Sequence, residues 1–217
     1  MRHLISVVAI SLSAWLTSMA HATDRDEELC KRSKDERQGI AACSRLIDRG
    51  RGSASIYKTR GTCYSLIGVY DRAIADHNEA IRLDPKDISN YTMRGLTFNR
   101  TGDYRRAIAD YTTAIRLAED EYKDNKNRNR YLSALYWFHG GFYESVGDLR
   151  EAVADYTRAI RLAREHYEKI DQSKMFREHV ARMYEKRSKT YKALGDQPRA
   201  AADHEEASRL DPNVGKD

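Results

Sequence analysis

Proline is scarce, at three in 217 residues, so little in the chain would interrupt long helices. Extended apolar stretches are scarcer still. Leu4 to Leu16 is the one such run, broken only by small hydroxyl residues, and it falls short of the roughly 20 residues a membrane-spanning helix needs. No glycine-rich phosphate loop and no G-x-S-x-G turn occurs. The histidines number seven, but none falls in H-E-x-x-H spacing, and His166 and His179, each preceded by Glu, stand 13 residues apart. The carboxylates are plentiful and are expected on solvated helix faces. These absences leave no catalytic residue, no metal ligand and no cofactor site to expect, and they exclude a membrane span.

The apolar run has a different use. It follows Met1, Arg2 and His3, and it precedes Ala20-His21-Ala22, with small residues at both positions a signal peptidase reads. That is the layout of a secretory signal peptide over 1–22, cleaved after Ala22, and it implies an exported, periplasmic or secreted protein. His3 and His21 would leave with it. Thr23 follows the cleavage site instead of a cysteine, which disfavours a lipid anchor. In an oxidising compartment the three cysteines, Cys30, Cys43 and Cys63, imply one disulfide and one leftover thiol. The net charge of +5 is modest and chiefly serves solubility, and export argues against a nucleic-acid partner.

What the chain has in abundance is self-similarity. VYDRAIADHNEAIRLDP from Val69, GDYRRAIADYTTAIRLAED from Gly102 and GDLREAVADYTRAIRLARE from Gly147 superpose, and GDQPRAAADHEEASRLDP from Gly195 is a weaker copy. A second block precedes each. Its columns are Tyr57, Tyr91, Tyr136, Tyr184; then Gly61, Gly95, Gly140, Ser188; then Tyr64, Phe98, Tyr143, Tyr191. The later block supplies Ala73, Ala107, Ala152, Ala200; then His77, Tyr111, Tyr156, His204; then Ala80, Ala114, Ala159, Ala207, with Pro85 and Pro212 closing the first and last units. Spacings of three and four place each set on one helix face. Small residues let two helices approach, and the aromatics fill the space beside them. Gly102-Asp103, Gly147-Asp148 and Gly195-Asp196 each offer a glycine to end one helix and an aspartate to cap the next.

On these columns, from Ser53 to Pro212, the chain resembles the tetratricopeptide repeat family, in a secreted bacterial form. The resemblance implies an all-α, right-handed superhelical α-solenoid of antiparallel helix pairs. It also implies a non-catalytic module that binds a protein or peptide in a concave groove, as a scaffold or adaptor of the bacterial cell envelope. The expected layout is a signal peptide at 1–22, a partial repeat at 23–50, repeats at 51–85, 86–127, 128–172 and 173–212, and a tail at 213–217. The oligomeric state is left open.

In the partial repeat, Gly39 to Ile47 aligns with Ala73 to Ile81 at the family's period of 34. That places a second-type helix over Asp35 to Asp48 and a short first-type helix over Glu27 to Ser33. Cys30 then takes the place of Tyr64 and Cys43 that of His77, so the register pairs these two cysteines. Cys63 reads as a buried thiol. His77 and His204 read as members of the aromatic column.

The period lengthens later, Ala107 to Ala152 being 45 residues and Ala152 to Ala200 being 48. The surplus segments are charged and nearly free of Gly and Pro. They are expected to lengthen the helices around units two to four, turning near Asn125–Asn129 and Asp171–Ser173, with loops as the rival reading. Ile74/Ile81, Ile108/Ile115 and Val153/Ile160 should meet the next unit, whereas Ala201 and Ser208 mark a terminal cap.

By the resemblance, first-helix residues off the packing columns line the groove. These are Lys58, Thr62 and Ser65; Thr92, Leu96, Asn99 and Arg100; Trp137 and Glu144; and Arg182, Glu185, Lys189 and Lys192. Trp137 either anchors a partner or packs into the core beside Phe138. The family's clamp for a C-terminal carboxylate is not expected, because Thr62, Met93, Ala134 and Phe138 replace its polar residues. The last repeat gathers Arg177, Arg182, Lys186, Arg187, Lys189 and Lys192 on one helix. The alternative reading is therefore a binder of anionic envelope polysaccharide or surface.

Overall fold

The computed structural model describes residues 24–169 and 173–214. The expected signal peptide, the turn at Asp171 and Gln172, and the tail beyond Val214 lie outside the described residues. Residues 24–32 form helix α1. There follow α2 (Glu36–Asp48), α3 (Ala54–Leu66), α4 (Tyr70–Leu83), α5 (Ile88–Arg100), α6 (Tyr104–Glu121), α7 (Arg128–Ser145), α8 (Leu149–Lys169), α9 (Lys174–Ala193) and α10 (Gln197–Leu210). No strand occurs among the described residues. The chain divides into two compact units, Met1–Met93 and Arg94–Asp217.

Local chemistry sets the helix ends. Asp35 caps α2 through the N–H groups of Arg37 and Gln38, and Ser53 caps α3 through Ile56. Asp103 and Asp196 cap α6 and α10, as the Gly-Asp pairs predict, and Pro198 sits in the first turn of α10, where its missing N–H costs nothing. Helices α5 and α7 leave by the same kind of turn. Gly102 and Gly147 hold φ of 78° and 85°, and the next N–H bonds back to Phe98 O and Tyr143 O, both at 2.9 Å. This is the six-to-one closure that favours glycine in the left-handed region.

The first unit packs α1 to α4. Cys30 and Cys43 form a disulfide, with Cα atoms 4.9 Å apart, inside a cluster with Ala42, Leu46 and Ile56. α2 begins one residue after the expected start and ends at the expected residue. Between α3 and α4, a Cβ on Gly61 would come within 2.9 Å of the His77 ring and 3.1 Å of Ala73 O. Glycine is what permits this crossing. Cys63 corrects the expectation of a buried thiol: it is only half-buried, with its sulfur facing Gly39 of α2.

The second unit repeats the crossing. Gly95 and Gly140 meet the Tyr111 and Tyr156 rings so closely that a Cβ would stand 2.8 and 3.0 Å away. Ala107, Ala114, Ala152, Ala159, Ala200 and Ala207 are fully buried. The surplus residues are helical: α6 and α7 have 18 residues each, α8 has 21 and α9 has 20, against 14 in α10. The first turn falls slightly earlier than expected, over 122–127. Asn129 is already helical there, and its side chain donates to Glu165 of α8 at 3.0 Å.

Ile160 joins Phe176, Val180, Met183 and Tyr184 in the core between α8 and α9, so that face does meet the next helix pair. In α10, Ala201 is exposed and Ser208 is half-buried, as a cap requires. Val214, expected to fray, instead packs on the α8–α10 cluster.

Candidate interaction site

A polar seam runs beside the small-residue crossings. Immediately before Gly61, Gly95, Gly140 and Ser188 stand Arg60, Arg94, His139 and Arg187. Immediately before the second-helix rings stand Asp76, Asp110, Asp155 and Asp203. Each pair is 16 residues apart. Arg60 donates to both oxygens of Asp76 at 2.8 Å, Arg94 to those of Asp110 at 2.9 and 2.6 Å, and Arg187 to those of Asp203 at 2.8 and 2.7 Å. His139 Nδ1 lies 2.7 Å from Asp155 Oδ2. All four carboxylates are buried. A buried charge is tolerable only when paired and hydrogen-bonded, and a bidentate Arg–carboxylate pair meets that demand.

The cations also stack and bridge. Arg187 lies over the Tyr184 and Tyr191 rings at 5.5 and 5.7 Å, which gives the flanking aromatic columns a second role. Burial works against the Arg187 charge, but the bonds to Asp203 prevail and hold the guanidinium above its ordinary pKa. Members of the seam reach the second helix of the preceding pair: Arg60 to Ser44 at 3.0 Å, His139 to Thr112 at 3.0 Å, and Arg187 to Thr157 at 2.8 Å. Asp155, His139 and Thr112 thereby form an acid–imidazole–hydroxyl chain. Thr112 Oγ1 donates its proton to Ile108 O at 2.9 Å, so it faces His139 as an acceptor, as Thr157 faces Arg187. The chain is a structural cross-link. Sequence reasoning missed this seam, although the 16-residue recurrence was visible.

The expected groove residues divide into two sets. Several prove to be committed to the scaffold. Lys58 Nζ lies 2.7 Å from Asp87 and also contacts Ser89, joining α3 to the start of α5. Thr62 and Thr92 donate to Lys58 O and Ser89 O at 2.9 and 3.1 Å, and Ser65 is buried. Glu144 accepts from the Tyr156 hydroxyl at 3.1 Å and from Thr190 at 3.3 Å, and pairs with Lys186 at 2.5 Å. It ties α7 to α8 and α9. Trp137 packs on Tyr156 with centroids 5.0 Å apart and belongs to the core margin. Glu185 holds His204 at 2.9 Å and Lys189 at 3.6 Å.

Other residues remain accessible. Leu96 and Asn99 are half-buried, and Arg100, Arg182, Lys189 and Lys192 are exposed. Of the seven Lys and Arg residues on α9, Lys174, Lys186, Arg187 and Lys189 are paired with carboxylates, while Arg177, Arg182 and Lys192 have none among the described residues. The basic patch is therefore smaller than its sequence suggests.

Arg182 enters a cavity of about 320 Å³ between α7 and α9, lined also by Arg130, Ala134, Met175, Phe176 and His179. Arg130, Met175, Phe176 and His179 lie in the surplus segments, which the sequence reading took as helix extensions and not as groove lining. Partial desolvation, then the charges of Arg182 and Arg130, push the His179 imidazole below its ordinary pKa. His166 is buried, with its ring tilted against that of Phe176 at a centroid distance of 5.4 Å. Among the described residues no group of three His, Cys, Asp or Glu side chains is placed to hold a metal ion, and no helix is long and apolar enough to cross a membrane.

Helical hairpins joined by recurrent glycine crossings define an α-solenoid repeat protein. Residues 88–121 and 133–166 match the family profile of the tetratricopeptide repeat. These two segments are tetratricopeptide repeats. No curated protein matches it. Among solved structures it resembles a crystal structure of MamA, at 19% identity over 86% of this chain and 95% of that one, with a TM-score of 0.67. It also resembles a MamA from Desulfovibrio magneticus RS-1, at 12% identity over 90% and 96%, with a TM-score of 0.66. BtubC (BKLC) from P. vanneervenii aligns at 15% identity over 94% and 92%, with a TM-score of 0.69. At such identities the likeness concerns the fold.

Proposed function

We propose that this protein is a non-catalytic scaffold or adaptor of the bacterial cell envelope that holds a protein or peptide on its first-helix face. Tetratricopeptide repeats support a protein-interaction role, and the layout of residues 1–22 supports export. The observation that carries the reading is the placement of exposed apolar side chains in the second unit. Tyr131 and Phe138 of α7 and Met175 of α9 are 47%, 44% and 69% exposed, all on first helices. Large apolar groups left in water on one kind of helix mark a surface kept for a partner.

Site-specific photo-cross-linking tests this. A benzophenone side chain at position 131 or 138 is expected to yield an adduct in envelope extract. The same group at Arg116, exposed on second helix α6, is expected to yield none. Adducts from position 116 alone would refute the assignment of the face. Export is checked by the mass of the envelope-recovered protein, which should begin at Thr23.

A further inference from the structure

The cavity between α7 and α9 is built in part from turns outside each helix's ordinary repeat. The matched repeat begins at residue 133, so Arg130 lies in the added first turn of α7. Met175, Phe176 and His179 lie in the added turns of α9. The surplus residues thus build a concavity that a repeat of ordinary length would not possess. Its floor is apolar: Phe176 is buried, and Met175 and Ala134 stand exposed at its sides. Its rim is cationic. Arg130 and Arg182 are both exposed, and neither meets a carboxylate among the described residues. Elsewhere in this unit, by contrast, Arg94 and Arg187 are matched to buried aspartates. Two guanidinium groups beside an apolar floor, with no counter-charge among the described residues, are complementary to a ligand carrying both an apolar side chain and carboxylates.

We propose that this cavity binds an acidic peptide segment of a partner protein, seating one apolar side chain on Phe176 with flanking carboxylates against Arg130 and Arg182. The proposal rests on the protein-binding reading and gives it a chemical class. A polysaccharide would satisfy the arginines but leave the apolar floor empty, which is why the peptide is the occupant the site favours. Burial first, and then the charges of Arg182 and Arg130, depress the His179 pKa, and an incoming carboxylate would offset those two charges.

The probe is a labelled nonapeptide of Asp and Glu with Leu-Phe at its centre. It is compared with the same peptide carrying Ser-Ser, and with polygalacturonate. Wild-type protein is expected to bind the Leu-Phe peptide at least about tenfold more tightly than the Ser-Ser peptide. The double variant R130Q/R182Q should lose about tenfold or more, and K192Q, on the same helix but outside the cavity, should lose nothing. In wild-type protein, peptide saturation should raise the His179 imidazole pKa, read by NMR, and this arm needs no variant to fold. Equal affinity for the two peptides, polygalacturonate as the tighter ligand, an unaffected R130Q/R182Q, or an unmoved His179 would each overturn the proposal. Should R130Q/R182Q keep the position-138 adduct, the adaptor role stands without this cavity. Should wild type bind the peptide yet form no adduct, the cavity stands and the adaptor reading fails.

Discussion

Ser188 holds the register position of Gly140, and His204, in the position of Tyr156, is 53% exposed with its Nδ1 2.9 Å from Glu185. At Gly140 a Cβ would stand 3.0 Å from the Tyr156 ring, so ring and Cβ compete for one space. Ser188 uses that space for its own side chain, which donates to Ala200 O at 2.7 Å. The ring of the last repeat therefore stays outside, where Glu185 holds it. This corrects the expectation that His204 packs as a core aromatic.

The exchange predicts opposite responses to similar substitutions. Gly95→Ala forces a Cβ within 2.8 Å of the Tyr111 ring and should destabilise the protein by about 1–3 kcal/mol in urea unfolding. Ser188→Ala keeps a Cβ that already fits and removes the hydroxyl's bond to Ala200 O, an addition to the helix ladder of α10. It should lose about 1–2 kcal/mol, while His204→Ala, at an exposed site, should change stability little.

Along the polar seam, deleting one partner is worse than replacing both. Asp203→Ala would leave Arg187, largely but not fully covered, without its counter-charge, and a loss of about 3 kcal/mol is expected. The double variant Arg187→Met with Asp203→Leu should recover most of it. Additive losses in that double-mutant cycle would show that the two side chains are not coupled.

Reduction should act on the first unit. The disulfide Cys30–Cys43 closes a separation of 13 residues, and the loop-entropy model assigns such a closure about 3 kcal/mol. Cys30→Ser with Cys43→Ser is expected to lower the stability of α1 and α2, read as faster amide exchange there. Peptide mapping of oxidised protein should find Cys63 alone alkylated.

Acid should loosen the same region by a separate route. Hydrogen bonds from Arg45, then from Arg49, hold the buried Asp26 carboxyl below the usual carboxylate range despite its desolvation. A depressed folded-state pKa means that the stabilisation is complete above the unfolded value, about pH 4, and is lost as pH falls through the folded value. Amide protection in α1 should decline with acid in wild type, and Asp26→Asn should abolish most of that dependence.

Much of this protein could be read from residue order. The period of 34, the small and aromatic columns, the cysteine pair and the helical nature of the surplus segments all depend on neighbours one or two turns away, or on one hairpin's register. Local spacing and propensity therefore specify them. Three-dimensional placement decided the rest. Whether Lys58 and Glu144 face a groove or brace the scaffold depends on carboxylates and hydroxyls brought from other helices. Whether Arg130 and Arg182 share a cavity depends on how α7 and α9, separated in sequence by all of α8, are carried side by side. Charge looks alike in a sequence wherever it stands; packing alone determines which charges are answered inside the protein and which are left for something else.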